Sequence, residues 1–172
     1  LKNFVESDKT TSSTFYRFYT NQDMLTFFQE LSENLENYQT FGAFIKAKYQ
    51  KNPKAYLDQL ISESFPKSKI VPKGKNSPNK RIQMFLRWMV RENSPVDKGF
   101  WTWYPKEKLI IPLDTHVLQQ SKKLGIIPEK ANATRKTALV ITEVLTSIFP
   151  GDPVKGDFAL FGLGVNSFQQ KN

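Results

Sequence analysis

Apolar residues recur at spacings of three and four along most of this chain, and that period restricts the architectures open to it more than any other feature. Met24, Phe27, Phe28, Leu31, Leu35 and Tyr38 mark one helical face over roughly residues 21–38, with Thr20 or Asn21 as its cap. Phe41, Phe44, Ile45 and Tyr49 mark a second helix, and Asn52-Pro53 opens a third carrying Tyr56, Leu57, Leu60 and Ile61. Ser77-Pro78 opens a fourth, reaching about Arg91, in which Ile82, Phe85, Leu86 and Met89 take the inner face and Lys80, Arg87 and Arg91 an outer row. Asp114 or Thr115 starts a fifth that Gly125 stops. Asn132 caps a sixth, with Thr137, Val140, Ile141, Val144, Leu145 and Ile148 as its stripe, and Asp152-Pro153 opens a seventh carrying Val154, Phe158, Phe161 and Val165. With no convincing strand pattern and no repeat at a fixed period, the expected fold class is all-α, a helical bundle-like domain.

A length of 172 residues suits one globular unit. The expectation is a single domain over 1–172, with a helical amino-terminal part (1–65), a basic loop and helix (66–91) and an aspartate-bearing helical part (110–165). Nothing approaches the ~18 to 20 apolar residues of a membrane-spanning helix, and the opening LKNFVESDK has no apolar signal segment. The expected location is therefore the cytoplasm, with no membrane partner, and the expected state a monomer. Absence of cysteine excludes disulfides, thiol nucleophiles and a cysteine-held iron–sulfur cluster, and a single histidine argues against a metal site, so no cofactor is expected. The chain begins with Leu1, as an amino-terminally truncated fragment would.

Charge adds a functional constraint. The net charge is +9, and residues 66–91 hold eight basic side chains and no acidic one, leaving the rest nearly balanced. So one-sided a stretch is the footprint expected of a polyanion-binding surface. Lys73, Lys75, Arg81, Arg87 and Arg91 are the candidate phosphate contacts. The alternative is a solvated lysine-rich loop. Trp88, Trp101 and Trp103, with Tyr104, are candidates to line a pocket and stack on a base, or else pack the long loop 93–109.

The run IIPLDTHVLQQSKKLG, residues 110–125, places Asp114 where a helix begins. Aspartate is a preferred N-cap, a role worth about 1 kcal/mol. A carboxylate fixed by helix amides can still present its other oxygen outward, so capping and chemistry are compatible. His116 lies off the Val117, Leu118 and Ser121 stripe and is read as a backbone hydrogen-bonding group.

PLDTHV followed by SKKLG resembles the VDTH segment of the helix-hairpin-helix DNA glycosylases, the endonuclease III-like superfamily. DFALFGLGV, residues 157–165, resembles the small-residue helix that follows it there. Taken with KRIQMFLRWMVR, these blocks are most similar to uncharacterised bacterial and archaeal proteins classed as a domain of unknown function, themselves similar to archaeal 8-oxoguanine DNA glycosylases. The resemblance covers roughly residues 75–165 and implies the glycosylase fold, without some upstream helices. It also implies a bifunctional glycosylase and AP lyase acting on double-stranded DNA that contains a damaged base such as an oxidised purine. In such chemistry a lysine attacks the sugar of an extruded nucleotide while an aspartate stabilises the cationic transition state. The matching positions are Lys80, in SPNKR, and Asp114, 34 residues later. VPKGKNSP stands where the superfamily carries its glycine-rich hairpin.

Two other readings compete. A nucleic-acid-binding module with this fold but no reaction would share the salt dependence of phosphate binding. A helical protein-interaction domain would bind independently of salt. The enzymatic reading requires Lys80 and Asp114, distant in sequence, to meet in space.

Overall fold

A computed structural model describes residues 14–16 and 18–169, with side chains through 163. The opening LKNFVESDK, the last residues of the SFQQKN tail and the side chain of Val165 lie outside that range. The chain divides into two compact units, the boundary falling between Lys73 and Gly74 inside the basic stretch.

The first unit opens with a small antiparallel pair, β1 (Thr14–Tyr16) and β2 (Tyr19–Thr20), too short for alternation to announce it. Three helices follow: α1 (Asn21–Leu35), α2 (Phe41–Lys51) and α3 (Leu57–Glu63). Thr20 caps α1 in a reciprocal box with Asp23: the Thr20 side chain accepts from the Asp23 N–H, and the Asp23 carboxylate accepts from the Thr20 N–H at 2.9 Å. The Thr20 backbone amide, chief among its partners, holds the Asp23 carboxyl below its ordinary range. Asn52-Pro53 forms a turn, and α3 starts four residues beyond the proline, at Leu57. Ile45, Leu57, Leu60, Ile61 and Phe65 are buried, with Phe27 stacked on Phe65 at 5.3 Å between ring centroids.

Glu30 is an apparent exception on α1, a carboxylate only 3% exposed. It accepts from the backbone N–H groups of Lys67 (2.7 Å) and Ser68 (2.8 Å), so it anchors the loop after α3. Glu30→Ala leaves both donors without an acceptor and is expected to destabilise this unit by about 1 to 3 kcal/mol, with Gln in its place costing less. Denaturant unfolding of the three proteins checks that order.

The second unit is built on α4 (Lys80–Val90), α5 (Thr115–Lys123), α6 (Arg135–Ile148) and α7 (Gly156–Gln169), with single 3-10 turns at Lys106–Lys108 and Pro153–Lys155. The described chain is thus mostly helical. Gly125, at φ +70°, takes the left-handed conformation that ends α5. Thr134, not Asn132, caps α6 by accepting from the Thr137 N–H at 3.1 Å. Gly156 lets α7 approach α6 closely, since a Cβ there would lie 2.6 Å from a Leu145 methyl. The segment Leu109–Leu113 is buried without being helical, and the Ile111 N–H donates to the Thr142 hydroxyl at 3.0 Å. That buried extended segment delivers Asp114 to a fixed place. Among the described residues no helix is long and apolar enough to cross a membrane.

Candidate functional site

Lys80 is the first residue of α4. The chain reaches it through a tight turn, Ser77 N–H to Gly74 C=O at 3.2 Å, and through Asn79, which is buried with φ +48°. Asn79 replaces the expected Ser77 as the residue before the helix and gives it no side-chain cap; the Ser77 hydroxyl instead accepts from the Asn79 N–H at 3.2 Å. With the first turn fixed in this way, the Lys80 stem projects from the positive end of α4.

Asp114 caps α5 with one oxygen and meets Lys80 with the other. Oδ1 accepts from the Val117 N–H at 2.8 Å, and Oδ2 lies 3.2 Å from the Lys80 ammonium. The carboxylate is largely shielded and the lysine half exposed, at 18% and 47% of their side-chain surfaces. The two groups therefore meet at the surface, where a substrate can reach the amine.

Asp157, at the start of α7, is the third member of the cluster. Burial pushes its carboxyl above the ordinary range, the Arg87 guanidinium opposes that, the nearby Asp114 charge adds to it, and Lys80 draws it back. Close packing of α5 on α7 accounts for the proximity. The sequence showed Asp157 only as part of a resembling block, with no role attached.

Arg87 and Arg91 correct the expectation of an outer cationic row. Both are 5% exposed. Arg87 Nε is 3.2 Å from Asp97 and its Nη1 bonds Asp157; Arg91 bonds Asp97 through Nη1 and grips both Asp152 oxygens, Nε to Oδ1 at 2.9 Å and Nη2 to Oδ2 at 2.9 Å. Burial alone lowers the Arg91 pKa, but Asp152 and Asp97 more than offset this and hold it above its ordinary value. Phe158 covers the network, its ring centroid 4.3 Å from the Arg87 guanidinium carbon. With its cations sequestered among carboxylates, this face of α4 is closed to phosphates.

The remaining candidates separate. Lys75 and Arg81 are exposed beside Lys80. Lys73 belongs to the first unit, where its ammonium bonds the Ser68 carbonyl oxygen. Trp101 is 6% exposed, edge-on to Phe85 at 5.4 Å and stacked on the half-buried Trp103 at 5.6 Å, so these rings pack the loop after α4 against that helix. Trp88 is 40% exposed and stands apart from that stack. Phe161 is half exposed on α7 and edge-on to His116 at 6.0 Å, two residues along the helix from Asp114. No group of three or more His, Asp or Glu side chains converges to hold a metal among the described residues.

Fold and cluster together define a mostly helical protein with a lysine–aspartate pair at the surface of its second unit. A family model described as "Protein of unknown function (DUF2400)" matches residues 2–166, and the chain belongs to that family. No curated protein and no solved structure matches it.

Proposed function

We propose that this protein is a DNA base-excision enzyme of the helix-hairpin-helix glycosylase type, a bifunctional glycosylase and AP lyase acting on an oxidised purine in double-stranded DNA. The observation that carries the reading is the 3.2 Å approach of Lys80 to Asp114, side chains separated by 34 residues of sequence.

In this reading the extruded nucleotide enters beside α4, and Lys80, its ammonium proton released to solvent, attacks C1′ of the deoxyribose. The C1′–N9 bond breaks, and the purine leaves with the bonding electrons and a proton shed by the attacking nitrogen. The nitrogen lone pair then forms the second C1′–N bond as the C1′–O4′ bond breaks, O4′ takes a proton from solvent, and a protonated Schiff base joins Nζ to C1′. Asp114, held by the Val117 amide, supplies the negative charge that the cationic sugar requires. Phe161, half exposed beside His116, offers the base an aromatic face that the packed Trp101 does not. Lys75 and Arg81 hold the flanking phosphates.

Borohydride reduction tests the reading by freezing the Schiff base as a covalent protein–DNA adduct. Wild-type protein is expected to give an adduct on duplexes carrying an oxidised purine or an abasic site, and Lys80→Gln none. An undiminished adduct from Lys80→Gln overturns the reading, and so does no adduct from the folded wild-type chain on a panel of such duplexes. In the latter case the protein is a nucleic-acid-binding module without the reaction, the reading that the exposed Lys75 and Arg81 would still favour.

A further inference from the structure

The near balance of charge outside residues 66–91 conceals further basic stretches without acids. Residues 130–137, KANATRKT, carry Lys130, Arg135 and Lys136 and no carboxylate; residues 74–81, GKNSPNKR, carry Lys75, Lys80 and Arg81 and none either. The fold joins these stretches: the Arg135 N–H donates to the Asn76 carbonyl at 2.8 Å. Lys75 and Lys136 each lie one residue from that bond, so the two basic stretches adjoin at this point. Both side chains are exposed, and neither forms an ion pair among the described residues.

The junction places like charges on adjoining stretches of chain, and the backbone is fixed on both sides. The Gly74–Ser77 turn and Asn79 set the path of the loop, and Thr134 caps α6 at the point of contact. Such an arrangement is relieved by a partner bringing a dense row of negative charge, as a duplex does at about one charge per 1.7 Å of its axis. We infer that the loop 74–79 and the first turn of α6 form one phosphate-binding surface for a nucleic-acid backbone, with Lys75, Arg81, Arg135 and Lys136 as its contacts. The inference shares with the glycosylase reading its nucleic-acid partner and the phosphate contacts at Lys75 and Arg81, adds those at Arg135 and Lys136, and does not require Lys80 to react.

The test is fluorescence anisotropy of a labelled, undamaged duplex titrated with the full chain over a series of salt concentrations. Lys75→Gln and Lys136→Gln are each expected to weaken binding irrespective of sequence and to reduce the slope of log affinity against log salt by about 0.9, and the double variant by about twice that. Lys123→Gln, at the far end of α5 from Asp114, is the control and leaves the slope unchanged. A folded double variant with the wild-type slope overturns the surface. So does salt-dependent binding to heparin or polyphosphate without binding to the duplex. Lowered slopes with no borohydride adduct leave the surface standing and remove the glycosylase reading; an adduct with unaltered slopes does the reverse.

Discussion

On the base-excision reading proposed above, Asp114→Asn is expected to slow base release in a single turnover by about 10²- to 10³-fold, the usual cost of removing one preorganised charge-stabilising group. It should do so with little damage to the fold. Asparagine is as good an N-cap as aspartate, so the bond from the Val117 N–H survives the change. What disappears is the charge facing Lys80, and with the lysine half exposed that ion pair contributes at most about 1 kcal/mol to stability. Asp114→Ala removes cap and charge together and should lose about 1 kcal/mol more. The two variants thus divide the residue's roles, asparagine reporting chemistry and alanine adding the helix start. Rates measured on an oxidised-purine duplex, beside thermal unfolding of both variants, give the comparison. Wild-type release by Asp114→Asn would leave Asp114 as a helix cap and nothing more.

Where the sequence foretold the structure, the deciding interactions are local. The Asp114 cap involves Val117 three residues on, and the stop at Gly125 needs only its own positive φ. Arg87 and Arg91 show the opposite case. Helical periodicity assigns a charged side chain to the solvent face because an unpaired buried charge is prohibitive. Their acceptors, however, come from the loop at Asp97 and from Asp152 and Asp157, as many as 70 residues away, and only the fold assembles them. The exposed side of α7 is illegible for a related reason: ALFGLGV is apolar all round and marks no preferred side, so the half exposure of Phe161 emerges only in the fold. The meeting of Lys80 with Asp114 was suggested by the family resemblance and by no pattern in the residues. The approach of residues 130–137 to residues 74–81 was suggested by neither, because each stretch alone has an unremarkable period and a whole-chain charge count averages the second one away.

Arg87→Met is expected to destabilise the protein by about 3 to 5 kcal/mol, the range for removing one partner of a buried ion pair. Methionine fills much of the same space and can lie under the Phe158 ring, so lost volume contributes little. The cost arises from the carboxylates left behind. Arg91 still meets Asp97 and Asp152, but Asp157 loses its guanidinium while remaining buried near the Asp114 charge. Asp157 already holds its proton more tightly than an ordinary carboxyl, and without Arg87 that tendency grows. The sign of the pH dependence follows. An acid whose pKa is raised by folding penalises the folded state while it is ionised, and the penalty is relieved as pH falls through the folded pKa toward the unfolded one. The stability difference between wild type and Arg87→Met should accordingly narrow between pH 7 and about pH 4. Adding Asp157→Leu to Arg87→Met should recover a large part of the loss at pH 7, because it removes the uncompensated charge. Urea unfolding of the wild type, the single and the double variants across that pH range measures each of these quantities. A pH-independent deficit, or a double variant weaker than the single, would show that Arg87 stabilises the protein by packing and not by neutralising Asp157.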